Sequence, residues 1–212
     1  MERIFFTADT HIGHKSILKY CDNRATDGNF SIEDTEAHDK WLIDNWNKTV
    51  GKKDIIYILG DFSFLPSENL KKHILPKLNG QKYLILGNHD KSSQSLTGYF
   101  KQITQMKELV FKQKRFDFLE EDFKLFLCHY PMVTWNNKHY GSCQLHGHCH
   151  NRLTEYNNES TDLRLDIGID SDIAQFKPVP LEKVYRFFKD KTQGMLFVDY
   201  AQRQKIEKTG EF

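Results

Sequence analysis

At 212 residues the chain is long enough to bury one sizeable core, and its length gives no reason to divide it, so a single domain over residues 1–212 is expected. Thirty Lys plus Arg against 29 Asp plus Glu leave a formal charge of +1, which excludes a global field that recruits polyanions and argues against a stable nucleic-acid partner. The start MERIFF lacks the apolar segment of a secretory signal and the longest apolar strings run to about five residues, so no membrane span and a cytoplasmic location are expected. Cys21, Cys128, Cys143 and Cys149 form no CxxC pair and read as free, mostly buried thiols.

Along the chain, short apolar runs break abruptly into polar residues. RIFFTADTH, residues 3–11, ends in Asp9 and His11. Ser31 with Asp34 then resembles a capping box, after which Trp41, Leu42, Asn45, Trp46 and Val50 share one side of a helix ending near Gly51. DIIYILGDF, 54–62, breaks at Asp61; Ser67 is placed to cap a helix carrying Leu70, Ile74 and Leu78, with Pro76 a kink or early stop and Asn79-Gly80 a turn. KYLILGNHD, 82–90, ends in Asn88, His89 and Asp90. Residues 115–128 read as a hairpin with Glu120, Glu121 and Asp122 at its tip, and KLFLCHYP, 124–131, breaks at His129. CQLHGHCH is a weaker run that sets His146, His148 and His150 at alternate positions. Pro180 opens a last helix over LEKVYRFFKD, GMLFVDY reads as a final strand, and QRQKIEKTGEF as a frayed tail.

Continuous apolar runs are what strands covered on both faces look like, and their alternation with helices predicts an α/β architecture. In such folds the ligand site lies beyond the carboxyl ends of the strands. Asp9, His11, Asp61, Asn88, His129, His148 and His150 fall there, and seven N and O donors are too many for one tetrahedral ion. They suit two ions roughly 3.5 to 4 Å apart that share a carboxylate, with Asp61 the natural bridge. Residues two apart in extended chain lie roughly 6.6 Å apart on one face, so His148 and His150 can serve different ions or converge on one.

The ordered set Asp9-x-His11, Gly60-Asp61, Gly87-Asn88-His89-Asp90, Cys128-His129 and Gly147-His148-Cys149-His150 resembles the calcineurin-like metallophosphoesterases over residues 4–150. The resemblance implies a four-layer α-β-β-α sandwich of two mixed sheets with helices outside. It implies that Asp9, His11, Asp61 and His150 hold one divalent ion and Asp61, Asn88, His129 and His148 the other, with Mn favoured over Fe, Zn or Ni. A water or hydroxide between the ions would attack a phosphate ester, His89 would stabilise the transition state or protonate the leaving oxygen, and Asp90 would orient the His89 imidazole. Asp90 stands where the phosphoprotein phosphatase branch usually has Glu, and that branch's arginine signatures are absent from the sequence, which argues against a Ser/Thr protein phosphatase.

The expected activity is that of a phosphodiesterase acting on a nucleotide or short nucleic-acid diester; the alternatives are a phosphomonoesterase or a catalytically silent scaffold of the same fold. Arg24, Trp135 and Tyr140 are candidate substrate contacts, since an arginine holds phosphate bidentately and a ring stacks on a base. His146 is open between a substrate contact and a packed neighbour. His14 reads as a helix-start residue or a support to a ligand, Cys149 as a core residue, and His38, His73 and His139 as ordinary surface or helix positions.

Overall fold

The computed structural model of the chain describes residues 2–90 and 93–192. Strand β1 (Ile4–Thr7) pairs in parallel with β2 (Ile55–Leu59), β2 with β3 (Gln81–Ile85) and β3 with β4 (Gln102–Thr104), while β9 (Val179–Pro180) closes the other edge antiparallel to β1. A second mixed sheet runs in the order β5 (Met106–Phe111), β6 (Phe123–Cys128), β7 (Cys143–His146) and β8 (Arg164–Asp166); β5 is antiparallel to β6 and the other pairs are parallel.

The apolar runs explain why the sheets stack. In the first sheet Phe6, Tyr57, Leu59 and Ile85 face the second sheet, where Phe123, Leu125, Leu127, Cys143, Leu145 and Leu165 meet them in one buried cluster. The alternate residues Phe5, Ile56, Ile58 and Leu84 face outward onto helices. A strand buried on both faces can spare no polar position, which is why these segments read as continuous hydrophobic strings. On the outer side lie helix α3 (Thr35–Thr49), through Leu42 and Trp46, and a helical stretch that begins as α4 (Ser67–Asn69). Two short helices, α1 (Ile17–Tyr20) and α2 (Asn23–Gly28), precede α3. The outer face of the second sheet is covered by the segment bearing Met132 and Trp135, which pack on Phe126 and Cys128, and by α5 (Thr154–Glu159). Helix α6, residues 181–192, sends Leu181, Val184, Tyr185 and Phe188 into the cluster between the sheets.

Two local expectations need correction and a third is sharpened. Asp34, not Ser31, caps α3, its carboxylate accepting the Ala37 N–H at 2.9 Å, because the chain at 31–33 is still a turn. The segment after Asn69 does not reach Leu78 as one regular helix: it widens into a π-helical turn at Leu70–Ile74, tightens into a 3₁₀ turn at Leu75–Lys77 and ends there, just past Pro76, as an early stop. Proline has no N–H to offer an i−4 carbonyl, and the changed turn geometry accommodates that loss. The hairpin is wider than 115–128: Met106↔Cys128 through Phe111↔Phe123 are paired, and 112–122 form the connection. Exposed Met106, Glu108 and Val110 alternate with more buried neighbours, the mark of an edge strand that Lys107 and Glu108 disguised. The expected final strand and tail lie outside the described residues. Among the described residues no helix is long and apolar enough to cross a membrane.

Leu145 is fully buried between the sheets, one residue before the histidine-rich turn. Leu145→Ala is expected to destabilise the protein by about 2–5 kcal/mol, read as a lower urea midpoint at unchanged slope.

Candidate metal centre

Each chain segment leaving β1, β2, β3, β6 and β7 turns sharply at the same end of the two sheets. The turns are held by a ladder that outlasts the strands: Asp9 N–H donates to Gly60 O, His11 N–H to Asp61 O and Ile12 N–H to Phe62 O, all at 3.0–3.1 Å. Across the seam Ile169 N–H donates to Ala8 O at 3.0 Å, and Ala8 bridges Gly168, so the two sheets join beneath the crevice. Five of the seven candidate ligands, Asp9, His11, Asp61, His148 and His150, have φ between +46° and +71°. Non-glycine residues adopt this region at a cost, and the neighbouring strands hold them there.

Glycines make the close approach possible. A Cβ at Gly87 would lie 2.3 Å from Asp61 Oδ1, and one at Gly60 would meet His129 Nδ1 at 2.4 Å.

The donors fall into two sets. Asp9, His11 and His150 offer atoms within 4.8 Å of one another, as do Asp61, His129 and His148. Asp61 Oδ2 joins them, 3.7 Å from His11 Nε2 and 3.5 Å from His129 Nε2. Asn88 Oδ1 lies 3.0 Å from His129 Nε2 and so falls in the second set.

Asp9 and Asp61 each use one oxygen as an anchor and present the other. Asp9 Oδ2 accepts the His148 N–H at 2.8 Å while Oδ1 is buried without a partner; Asp61 Oδ1 accepts the His89 N–H at 2.9 Å. His129 donates its Nδ1–H to the Leu59 carbonyl at 2.8 Å, so its Nε2 carries no hydrogen, and it faces the Asn88 carbonyl oxygen. Two acceptors facing each other, a buried orphan at His11 Nε2 and another at Asp9 Oδ1 are the arrangement that cations complete. The set of imidazoles, carboxylates and one amide fits divalent transition metals.

Electrostatics agree with the geometry. Burial, followed by the charges of Asp166, Asp61 and Asp170, pushes the Asp9 carboxyl well above the usual carboxylate range. Burial, with Arg24 and neighbouring histidines, drives His11 down to about 2, and burial lowers His129, so both are neutral imidazoles ready to ligate.

Several expected site residues do other work. Arg24 is fully buried and holds Asp170 and the backbone oxygens of Asp9 and Thr10, so no substrate phosphate reaches it. Trp135 is buried against Phe126 and Cys128 with its indole N–H on Ser142 O, which leaves no face free to stack. Tyr140 is 79% exposed on the turn Lys138–Tyr140, and its described contacts include no metal-set side chain. His146 is fully buried, donating to Gly147 O and accepting from Asn157, and is a packed neighbour.

Asp90 does not hold the His89 ring: its oxygens accept the N–H groups of Asp61, Gly87 and Phe62 at 2.8, 2.8 and 3.1 Å, stapling the second turn to the third. His38 is buried within α3 rather than on the surface. His14 sits just before α1, its Nδ1 3.2 Å from His11 Nδ1, and Cys149 is half-buried.

Four residues escaped the sequence reading. Asp166 ends β8 and Asp170 follows it, the same run-then-acid signal in RLDIGID that marked the other strands. Asp166 accepts the N–H groups of Gly168 and Asn151, and Asp170 holds His150 Nδ1 at 2.7 Å; burial alone would raise the Asp170 carboxyl, but Arg24 and His150 hold it below the usual range. Phe64 and Tyr130 are 37% and 43% exposed beside the donors. Phe64 packs 4.5 Å from the His89 ring and 5.2 Å from His11; Tyr130 lies edge-on 4.9 Å from both His129 and His148.

Comparison with known proteins agrees in both sequence and fold. An uncharacterized protein of Methanocaldococcus jannaschii is 30% identical over 192 residues, covering 89% of this chain and 93% of its own. The gene 66 protein of Mycobacterium phage D29 is 26% identical over 219 residues, 92% of this chain and all of its own. The crystal structure of a protein of unknown function from Aquifex aeolicus shares the fold, with a TM-score of 0.60 at 24% identity, covering 88% of this chain and all of that one. The profile of the calcineurin-like phosphoesterases matches residues 2–191, and the chain, with this donor set at its strand ends, belongs to that family of metal-dependent phosphoesterases.

Proposed function

We propose that the chain is a two-metal phosphodiesterase acting on nucleotide-type diesters, with Mn the favoured ion. The observation that carries the reading is Asp61 Oδ2 standing between two donor sets, with an exposed aromatic ring beside each. Asp9, His11, Asp61 and His150 would hold one cation and Asp61, Asn88, His129 and His148 the other. Bound there, the pair supplies the positive charge that holds the phosphoryl oxygens and makes water nucleophilic at neutral pH.

The chain's own groups then divide the remaining work. His89 has a side chain 43% exposed and its Nε2 3.9 Å from Asp61 Oδ2, so it reaches both the crevice and solvent; it donates a proton to the departing oxygen. Packing on Phe64 and the bond from its backbone N–H to Asp61 orient it, in place of Asp90. A diester carries an organic arm on either side of phosphorus. Phe64, beside His11 and His89, and Tyr130, beside His129 and His148, offer one ring to each arm, which a monoester would leave half used.

His89→Ala is expected to keep its metals and lose roughly 10²- to 10⁴-fold in kcat on an ester with a poor leaving group; unchanged turnover would remove the residue from proton transfer. Phe64→Ala and Tyr130→Ala are expected to raise KM for bis-p-nitrophenyl phosphate, each by roughly 5- to 100-fold, and to affect p-nitrophenyl phosphate less. Equal effects on both esters would count against two arm-binding rings.

A raised folded-state value for Asp9 also fixes a pH dependence. Stability from its protonated form is fully present below the ordinary carboxylate range and is lost as pH rises through the folded value, whereas a cation replaces that proton. The gap in Tm between Mn-loaded and chelator-treated protein should therefore widen with rising pH; thermal scans across the acid-to-neutral range check it, and a constant gap would contradict it.

A further inference from the structure

Behind the Asp9, His11 and His150 donors lies a buried ion pair. Arg24 donates from Nε and Nη2 to the two oxygens of Asp170 at 2.7 and 2.6 Å, and Asp170 Oδ2 also lies 2.7 Å from His150 Nδ1. A carboxylate gripped on both oxygens by a guanidinium only accepts, so the hydrogen in that contact belongs to Nδ1 and Nε2 is the nitrogen left to face a cation. The same guanidinium donates to the backbone oxygens of Asp9 at 2.8 Å and Thr10 at 3.1 Å.

One buried side chain thus fixes the turn carrying two donors of this set and, through Asp170, the ring of the third. Cys21 Sγ, 3.7 Å from the same Nδ1, completes a His/Cys/Asp cluster, but Arg24 already occupies both oxygens of Asp170, so the cluster supports His150 and is not a third cation position. The other donor set has weaker support: the tautomer of His129 rests on a neutral backbone carbonyl, and His148 is exposed.

We propose that Arg24 and Asp170 are positioning residues that fix His150 as an Nε2 ligand and make the Asp9–His11–His150 position the tighter of the two metal positions. The inference rests on the two-cation reading of the centre and concerns binding rather than turnover. A carboxylate bonded to the far nitrogen of a ligating imidazole raises its basicity and locks its orientation, and its loss typically weakens metal binding by 10- to 100-fold.

Two measurements test it. In the metal-free wild-type protein at mildly alkaline pH, long-range proton–nitrogen NMR correlations of the imidazoles are expected to show His150 with hydrogen on Nδ1 and none on Nε2. The opposite tautomer would overturn the proposal, and this readout needs no variant to fold.

Zinc titration against a competing chelator should resolve two affinities in the wild type. Asp170→Asn should weaken the tighter one roughly 10- to 100-fold and leave the weaker nearly unchanged. No change, or equal loss at both positions, would overturn it. Failure of the loaded wild type to hydrolyse any diester would sink the proposed function and leave both of these outcomes readable.

Discussion

Buried negative charge is the constraint around which the structure is organised. Asp9 is fully buried, and Asp61, Asp166 and Asp170 are close enough to push its carboxyl upward, a combination that a folded chain bears only with compensation at hand. Part of the compensation is the backbone. Asp9, Asp61, Asp90 and Asp166 each accept N–H groups from a neighbouring turn, so the same bonds that solvate the carboxylates also tie five loops into one crevice. Arg24 supplies the rest as a buried counter-charge to Asp170. What is left, one free oxygen of Asp9, the inner oxygen of Asp61 and unprotonated imidazole nitrogens, is a set of acceptors without donors.

The division of labour between sheets and turns follows from this. Strands β1 and β2 are almost wholly apolar on both faces, and the candidate ligands concentrate at one end, where strand direction is parallel in β1, β2, β3 and again in β6, β7, β8. Parallel strands aim their carboxyl ends the same way, and two stacked sheets bring two such rows together. Glycines at 60, 87, 147 and 168 then allow the rows to approach more closely than any side chain would permit.

Much of this was legible in the sequence because the strand runs are continuous and end in ligand-type residues. Asp9, His11, Asp61, Asn88, His129, His148 and His150 could be named without coordinates for that reason. Roles that depend on direction could not. Arg24, Trp135 and His146 looked suited to binding by residue type, yet tertiary packing buries all three, and nothing in their local spacing says which way they face. Asp90 was assigned to its neighbour in sequence when its partners lie across the crevice at Asp61 and Phe62. Asp170 was missed although RLDIGID carries the same signal as the other runs, because β8 is only three residues long. The edge strand β5 was missed because two charged residues interrupt its alternation.

The short bridge between Ala8 and Gly168 has a consequence for assembly. It joins residues 160 positions apart in the chain, and the floor of the crevice lies on it. Contacts this distant in sequence form late, since the entropy of closing so long a loop must be offset by other structure first. A chain emerging from the ribosome presents β1 to β4, with Asp9, His11, Asp61 and Asn88, before β8 arrives to lay Asp170 against Arg24 and before β9 closes the edge of the first sheet. The Asp9, His11 and His150 donors are therefore assembled only once the segments around β7 and β8 have packed against β1.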